Sequence, residues 1–379
     1  MLEPLRIVLL VLAALLVLAT VLPLARKPYW WIRSFDFPRA QIAALAAATL
    51  GALVAIVLTT GHEGALDTAA LVGLGAVVLY QAARMAPYTA LWKVQTVDAV
   101  NPDRDRSLRL VVSNVLITNR DIERWLAVVR KADPDVVAAV EMDAWWAEAA
   151  GALKATHPHA VELPQDDTYG MCLYSRYPLV ETDVRHLVEP EVPSLFLTVG
   201  LPSGERVRLV VLHPRPPRPD IGQDSTFRDA ELVLAAREIA AREITTGDGP
   251  IVVCGDLNDV AWSGTTTLFL KIGGLLDPRI GRGLYSTFHA RQRLLRYPLD
   301  HVFHSADLAL VSLARLGDVG SDHFPMCVEL ALSAAAAEQE APPASADTHE
   351  QAADVLDEVQ AFKAGETAAE AAERKADDV

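Results

Sequence analysis

Three long apolar stretches open the chain, and a different pattern follows them. Residues 5–24 are apolar except for Arg6 near the start and Pro23 near the end. Residues 42–60 form a second run, and residues 65–85 a third, with Asp67 and Arg84 near its ends. At about 1.5 Å per residue, a helix of about twenty residues spans about 30 Å, the hydrocarbon thickness of a bilayer. The pattern therefore predicts three transmembrane helices in a membrane anchor of residues 1–86, a multi-pass integral protein. A cleaved signal peptide is the alternative for the first run. Its start, Leu2-Glu3-Pro4, lacks positive charge, however, and no clean A-x-A site follows.

Residues 87–106 are polar and turn-rich, with Asn101-Pro102-Asp103 among them, and read as a linker. From 107 to 332 short apolar runs of strand length alternate with stretches of helical period. Runs at 108–112, 136–140, 171–174, 195–199, 207–212, 251–254, 302–303 and 327–332 predict strands. Period 3.6 predicts helices over 121–131 and 227–244; in the second, Leu232, Ala235, Ala236 and Ile239 share one face. A region of about 225 residues can bury a large core. Residues 333–379 are rich in Ala and Glu and are expected to be a disordered acidic tail, save for a short helix at 354–363.

Composition sharpens this division. Hydrophobic residues make up 51% of the chain, an excess concentrated in the anchor. The net charge is −15, but the tail holds twelve acidic and three basic residues, which accounts for −9 of it. The region 107–332 is thus only mildly acidic, and charge leaves nucleic acid open as a substrate. Between the first two spans lie Arg26, Lys27, Arg33 and Arg39, among Tyr29, Trp30, Trp31 and Phe35, an interfacial aromatic belt in composition. The loop at 61–64 has no Lys or Arg, so the positive-inside rule places the large domain on the cytoplasmic side of a bacterial-type inner membrane. Cys172, Cys254 and Cys327 each sit in an apolar run and read as buried free thiols. They show no zinc-binding spacing.

One pattern recurs through 107–332. An apolar run ends in a residue able to bind a metal or move a proton. The runs end at Asn114, Glu141, His213 and Asp256, with Asn258 two positions on, and two more sites carry Asp300-His301 and Asp322-His323. A lone carboxylate at a strand end costs several kcal/mol if buried, but is stabilised where it faces a cation. Six such positions, all Asn, Asp, Glu or His, point to one site on a sheet rim. The set suits a hard cation with oxygen ligands, Mg²⁺ or Mn²⁺.

In order, Ser113-Asn114, Val140-Glu141, His213-Pro214, Gly255-Asp256-Leu257-Asn258, Leu299-Asp300-His301 and Ser321-Asp322-His323 resemble the successive motifs of the endonuclease/exonuclease/phosphatase superfamily. That group includes pancreatic-type deoxyribonucleases, abasic-site endonucleases, neutral sphingomyelinases and inositol-polyphosphate 5-phosphatases. The anchored arrangement resembles a bacterial branch of it, some of whose members work outside the cytoplasm. The resemblance covers about 107–332 and implies an α/β four-layer sandwich of two mostly antiparallel sheets flanked by helices. It further implies metal ligands Glu141, Asn114 and Asp322, with His323 as the base for water and Asp300 as its orienting partner. Asp256 would orient or activate water, Asn258 would bind a phosphoryl oxygen, and His213 would stabilise that group or protonate the leaving oxygen. One departure is Leu116, where some relatives carry an acidic residue; a single-metal site is then favoured.

Several residues stay open. His301 is undecided, and His304 reads as a surface residue. Arg215 and Arg218, in a proline-rich loop, contact phosphate or are solvated; Arg176 and Tyr174 are alternative phosphate contacts. The expected activity is hydrolysis of a phosphate ester or pyrophosphate by in-line water attack, with a phosphorylated small molecule or, preferably, a lipid as substrate. An Mg²⁺-dependent endo- or exonuclease and an inactive membrane scaffold are the alternatives; protein partners stay open. There is no Walker phosphate loop and no G-x-S-x-G elbow. No charged residue sits mid-span to form a transport path.

Overall fold

Each apolar stretch at the start of the chain folds into one helix: α1 (Leu2–Val21), α2 (Arg39–Thr60) and α3 (Ala65–Met85). All three are long and apolar enough to cross a membrane. The structure is a computed structural model and describes residues 2–377 apart from 62–63, 218–223, 247–248, 335 and 337–338. Ala13, Leu16, Ile42, Ala46, Leu74 and Val77 pack the three helices together. Several polar groups among them pair with one another, as an apolar surrounding favours. Arg6 pairs with Asp67 at 2.6 Å, Arg39 binds Asp36 and donates to Gln81 at 2.9 Å, and Gln81 donates to Thr20 at 3.1 Å. These helices belong to a first compact unit built mainly from Met1–Lys93; the second unit begins at Val94.

The expected linker is therefore shorter than 87–106, because its second half belongs to the second unit. Leu310 donates to the Val97 carbonyl at 2.9 Å, and Ala99 donates to the Leu310 carbonyl at 2.7 Å. Thr96 is buried and hydrogen-bonds His304 at 2.9 Å. The segment covers backbone groups that an edge strand would otherwise leave open.

The second unit contains eleven strands among the described residues. Six form one sheet in the order β10-β11-β1-β2-β4-β3: β1 (Ser107–Asn114), β2 (Val136–Val140), β3 (His159–Leu163), β4 (Met171–Ser175), β10 (Leu308–Arg315) and β11 (Met326–Leu332). Five form the other in the order β5-β6-β7-β8-β9: β5 (Leu179–Arg185), β6 (Ser194–Gly200), β7 (Arg206–Val211), β8 (Ile251–Asp256) and β9 (Asp300–His304). Pairing is antiparallel except for β1 with β2 and β7 with β8. Helix α4 (Ile122–Ala132) crosses over within the first parallel pair and α6 (Thr226–Thr246) within the second. Two shorter helices, α5 (Ala144–Ala150) and α7 (Gly264–Gly273), complete the outer layers.

Alternation along the central strands builds these layers. Leu110 and Val112 of β1 face Val252 and Cys254 of β8 in the core between the sheets. Val111 and Val137 turn outward onto Trp125 and Trp146, while Ile251 and Val253 turn outward onto Leu232, Ala236 and Phe269. Strands covered on both faces read as unbroken apolar runs. The order of layers is helix, sheet, sheet, helix, as the family resemblance implied. All three cysteines are buried and free.

The tail departs from expectation. Instead of a short helix in a disordered stretch, α8 runs Ala346–Asp377. Ala352, Val355, Leu356, Val359 and Phe362 repeat at helical spacing and pack toward α6, with the rings of Phe362 and Phe227 edge-on at 5.2 Å. The acidic composition hides this narrow apolar stripe.

Gly255 tests the close approach of β7 and β8. Its φ is 140°, and a Cβ there would lie 1.8 Å from the Leu212 carbonyl oxygen. Gly255→Ala should destabilise the second unit by more than about 2 kcal/mol. Gly151→Ala, where nothing lies within 4 Å of the added carbon, should leave thermal unfolding followed by near-UV circular dichroism almost unchanged.

Candidate active site

Strand register gathers the chemistry at one rim. In the first sheet β1 and β2 run parallel with Asn114 opposite Val140, so Asn114 and Glu141 emerge side by side. Strand β11 runs the other way with Met326 opposite Val112, which brings the preceding Asp322 and His323 to the same edge. In the second sheet Val211 lies opposite Cys254 and Asp256 opposite Asp300, so His213, Asp256 and Asp300 also share an edge.

Hydrogen bonds then join the two edges. Asn114 Nδ2 donates to Glu141 Oε1 at 2.8 Å and to Asp256 Oδ2 at 3.0 Å. His323 Nδ1 donates to Asp300 Oδ2 at 2.8 Å, and its Nε2 lies 3.6 Å from Asp256 Oδ2. The run Glu141, Asn114, Asp256, His323, Asp300 is thus continuous. His213 donates from Nδ1 to the Asp256 carbonyl at 3.2 Å, which leaves Nε2 as its other ring nitrogen. Asn258 binds the Pro214 carbonyl at 3.0 Å through its side chain and Asp256 Oδ1 at 2.9 Å through its backbone N–H. Glu141 (φ 62°) and Asn258 (φ 51°) hold left-handed backbone, uncommon outside glycine, which aims them back at the rim.

Asp322 stands slightly apart. It is half-buried, its carbonyl accepts from Ala290 at 2.6 Å, and its carboxylate acts on His323 by charge. Asn114 also differs from the implied ligand. Its side-chain oxygen accepts from the Leu116 N–H at 2.9 Å, so its nitrogen, not its oxygen, faces the carboxylates.

The electrostatics are lopsided. Burial alone would lower the His323 pKa; the charges of Asp300, Asp256 and Asp322 and the hydrogen bond to Asp300 outweigh it and push His323 up to about 10. Asp300 Oδ1 is buried with no hydrogen-bond partner among the described residues. Asp256, Asp300 and His323 present ligand-type atoms within 4.8 Å of one another, a group that could hold a metal ion. An orphaned carboxylate oxygen amid oxygen donors fits a hard divalent cation.

Other candidates lie elsewhere. Arg176 pairs with Asp133 at 2.6 Å at the far rim, because β4 runs antiparallel to β2 with Ser175 opposite Val136. Tyr174 packs under the outer helices and donates to Glu162 at 2.9 Å. His304, read as a surface residue, is fully buried, held by Thr96 and by the Ser305 carbonyl at 2.8 Å. His301 is structural: Nε2 donates to the Asp259 carbonyl at 2.9 Å and Nδ1 accepts from Arg279 at 2.7 Å. Burial, then the Arg279 charge, holds it neutral, well below the usual imidazole range. Arg215 bonds Glu189 at 2.9 Å and lies over Tyr169, whose ring is 6.3 Å from that of His213. Arg218 lies outside the described residues.

Three contributors carry no signal in the sequence. The Phe288 ring packs on His323 at 4.9 Å. The Thr287 hydroxyl accepts from the Asp300 N–H at 3.2 Å. Arg228 donates to the Asn258 carbonyl at 2.8 Å and pairs with Asp229 at 2.8 Å, buttressing the loop after β8. None belongs to a strand-end motif, so only the fold connects them to the site.

The sequence matches the Endonuclease/Exonuclease/phosphatase family over residues 112–323. No curated protein matches it. Similar solved structures include the human nocturnin catalytic domain with bound sulfate, at 16% identity and a TM-score of 0.49, covering 61% of this chain and 96% of that one. An endonuclease/exonuclease/phosphatase from Beutenbergia cavernae is similar at 21% identity and a TM-score of 0.47, covering 60% and 72%. Sphingomyelinase C from Streptomyces griseocarneus is similar at 15% identity and a TM-score of 0.45, covering 59% and 99%.

The raised His323 pKa has a consequence for stability. Protonated His323 favours the folded state, so its contribution is complete below about pH 6.5, the unfolded value, and fades as pH rises toward 10. Metal-free protein should therefore lose stability across that window. Asp300→Asn should flatten the loss, as read from melting temperature against pH in chelator; an unchanged slope would contradict the assignment.

Proposed function

We propose, because the chain belongs to the endonuclease/exonuclease/phosphatase family, that it is a membrane-anchored, divalent-metal-dependent phosphoesterase. Its reaction would be hydrolysis of a phosphate ester or pyrophosphate by in-line attack of water. The observation that carries this reading is the unbroken run of contacts from Glu141 through Asn114, Asp256 and His323 to Asp300.

Each residue's part follows from its contacts. Asp300 holds the Nδ1 proton of His323, so Nε2 is the nitrogen that takes a proton from water. The Asp256 carboxylate beside Nε2 orients that water. Asn114 donates to two carboxylates at once and keeps Asp256 and Glu141 close despite their like charge. His213 has Nε2 available to bind a phosphoryl oxygen or protonate the leaving one. Asn258, now on the Pro214 carbonyl, is a second candidate contact to that oxygen.

Glu141 and Asp256, with Asp322 nearby, are the residues that would hold Mg²⁺ or Mn²⁺. When bound, the cation would polarise the phosphoryl group, offset its negative charge and relieve the carboxylate field that keeps His323 protonated. The fit rests on two carboxylates, Glu141 and Asp256, gathered on one Asn114 amide nitrogen, in a cluster whose ion pairs among the described residues run to His323. Phe288 closes one side of the imidazole and limits water there.

Helices α1, α2 and α3 would anchor the protein as a multi-pass membrane protein. A tethered site meets lipid head groups at high effective concentration, which favours a lipid-linked phosphate or pyrophosphate as substrate.

Full-length protein in detergent should hydrolyse a chromogenic phosphodiester or a lipid phosphate with Mg²⁺ or Mn²⁺ and stop on chelation. His323→Ala and Glu141→Gln should each reduce kcat by about 100-fold or more. Full activity in chelator, or in either variant, would rule the scheme out.

A further inference from the structure

Beside His323 the chain forms a short hairpin over residues 287–297. Thr287 and Phe288 both donate to the Tyr297 carbonyl at 3.0 Å, and His289 donates to the Leu295 carbonyl at 3.1 Å. The Phe324 N–H donates to the Thr287 carbonyl at 3.0 Å, so the base is pinned to the segment that carries His323. The hairpin is therefore an ordered element that grows directly from the candidate site.

Its tip has an unusual surface. Leu294 is 84% exposed and Leu295 is 47% exposed. Around them stand Arg291, Arg293 and Arg296, and Arg315 reaches the same side: Arg296 and Arg315 lie over the Phe324 ring at 4.9 and 4.4 Å. The acidic chain places no Asp or Glu between Asp277 and Asp300. Among the described residues none of these four arginines forms a salt bridge; Arg291, Arg296 and Arg315 bond backbone carbonyls. Elsewhere in this unit arginines are neutralised, as with Arg104 on Asp135, Arg109 on Glu329 and Arg120 on Asp143.

We propose that this hairpin is a membrane-contact element: the leucines enter the headgroup boundary of an anionic bilayer, and the arginines bind its phosphates. Exposed aliphatic side chains flanked by arginines suit a lipid surface, where both kinds of group gain contacts. A nucleic-acid face would instead offer aromatic rings for stacking, and here the aromatics Phe288 and Tyr297 lie at the hairpin's base. The inference rests on the phosphoesterase reading and narrows it to substrates presented at an anionic lipid surface, next to His323.

The test uses the full chain carrying Leu294→Cys, labelled with an environment-sensitive fluorophore; the native cysteines are buried. The labelled protein is reconstituted into phosphatidylcholine vesicles with or without phosphatidylglycerol. A label at Val180→Cys, 45% exposed on β5, serves as reference. The Leu294 label should shift to the blue and be quenched by brominated lipid when phosphatidylglycerol is present. Arg293→Glu should abolish both responses while hydrolysis of a soluble phosphodiester persists. A Leu294 label that behaves like the Val180 label overturns the proposal. So does a response to single-stranded DNA without one to vesicles, which would mark a nucleic-acid face. Because the readout is fluorescence, a silent label with hydrolysis intact removes the hairpin reading alone, and a membrane-buried label without hydrolysis removes the phosphoesterase reading alone.

Discussion

Like charge held at close quarters is the constraint on which the rest of this structure depends. Glu141, Asp256, Asp300 and Asp322 converge on one rim, and the positive group within their cluster is His323. Carboxylates at such distances repel strongly where water is scarce. A fold selected for stability alone would place apolar groups there or spread the acids apart. The arrangement makes sense if a cation completes it, and perturbed titration is a recognised mark of a functional site.

The backbone supplies the rigidity that this crowding demands. Two parallel strand pairs, one in each sheet, end on the same rim. Just past β2, and again just past β8, the chain turns through left-handed residues, Glu141 and Asn258. Beneath the second turn lies a buried ionic layer. Arg228 grips the Asn258 carbonyl, Asp259 bonds Ser263 at 2.6 Å, and His301 ties the Asp259 carbonyl to Arg279. These groups touch no reacting atom in the proposed chemistry. They fix the loop that carries Asp256 and Asn258.

Central strands are legible in the sequence because burial on both faces leaves unbroken apolar runs, and each run stops where the rim begins. That is why Asn114, Glu141, His213 and Asp256 stand out from the pattern of residues alone. Edge strands β3, β5 and β10 are not legible in this way. Residues of β3 are half-buried throughout, most of β5 is exposed and β10 is buried only over its first three residues, so solvent-facing positions blur the run, as in Leu-Val-Glu-Thr-Asp-Val-Arg of β5. Register is also hidden. Arg176 follows an apolar run just as Glu141 does, yet the antiparallel pairing of β4 carries it to the opposite rim, and Tyr174 within that run turns under the outer helices. Thr287 and Phe288 reach the site through tertiary contact from a stretch with no motif. Helix α8 is masked by its charge, and His304 by neighbours that only the packed segment near Thr96 reveals.

On the proposed reading, one divalent cation would bind at the rim between Glu141 and Asp256. Crystals of the full chain grown or soaked with Mn²⁺ would test it most directly through anomalous scattering. The expected result is a single strong peak bounded by those two carboxylates, lost in Glu141→Gln crystals. A rim without a peak, or a peak bound elsewhere in the second unit and unaffected by that substitution, would contradict it.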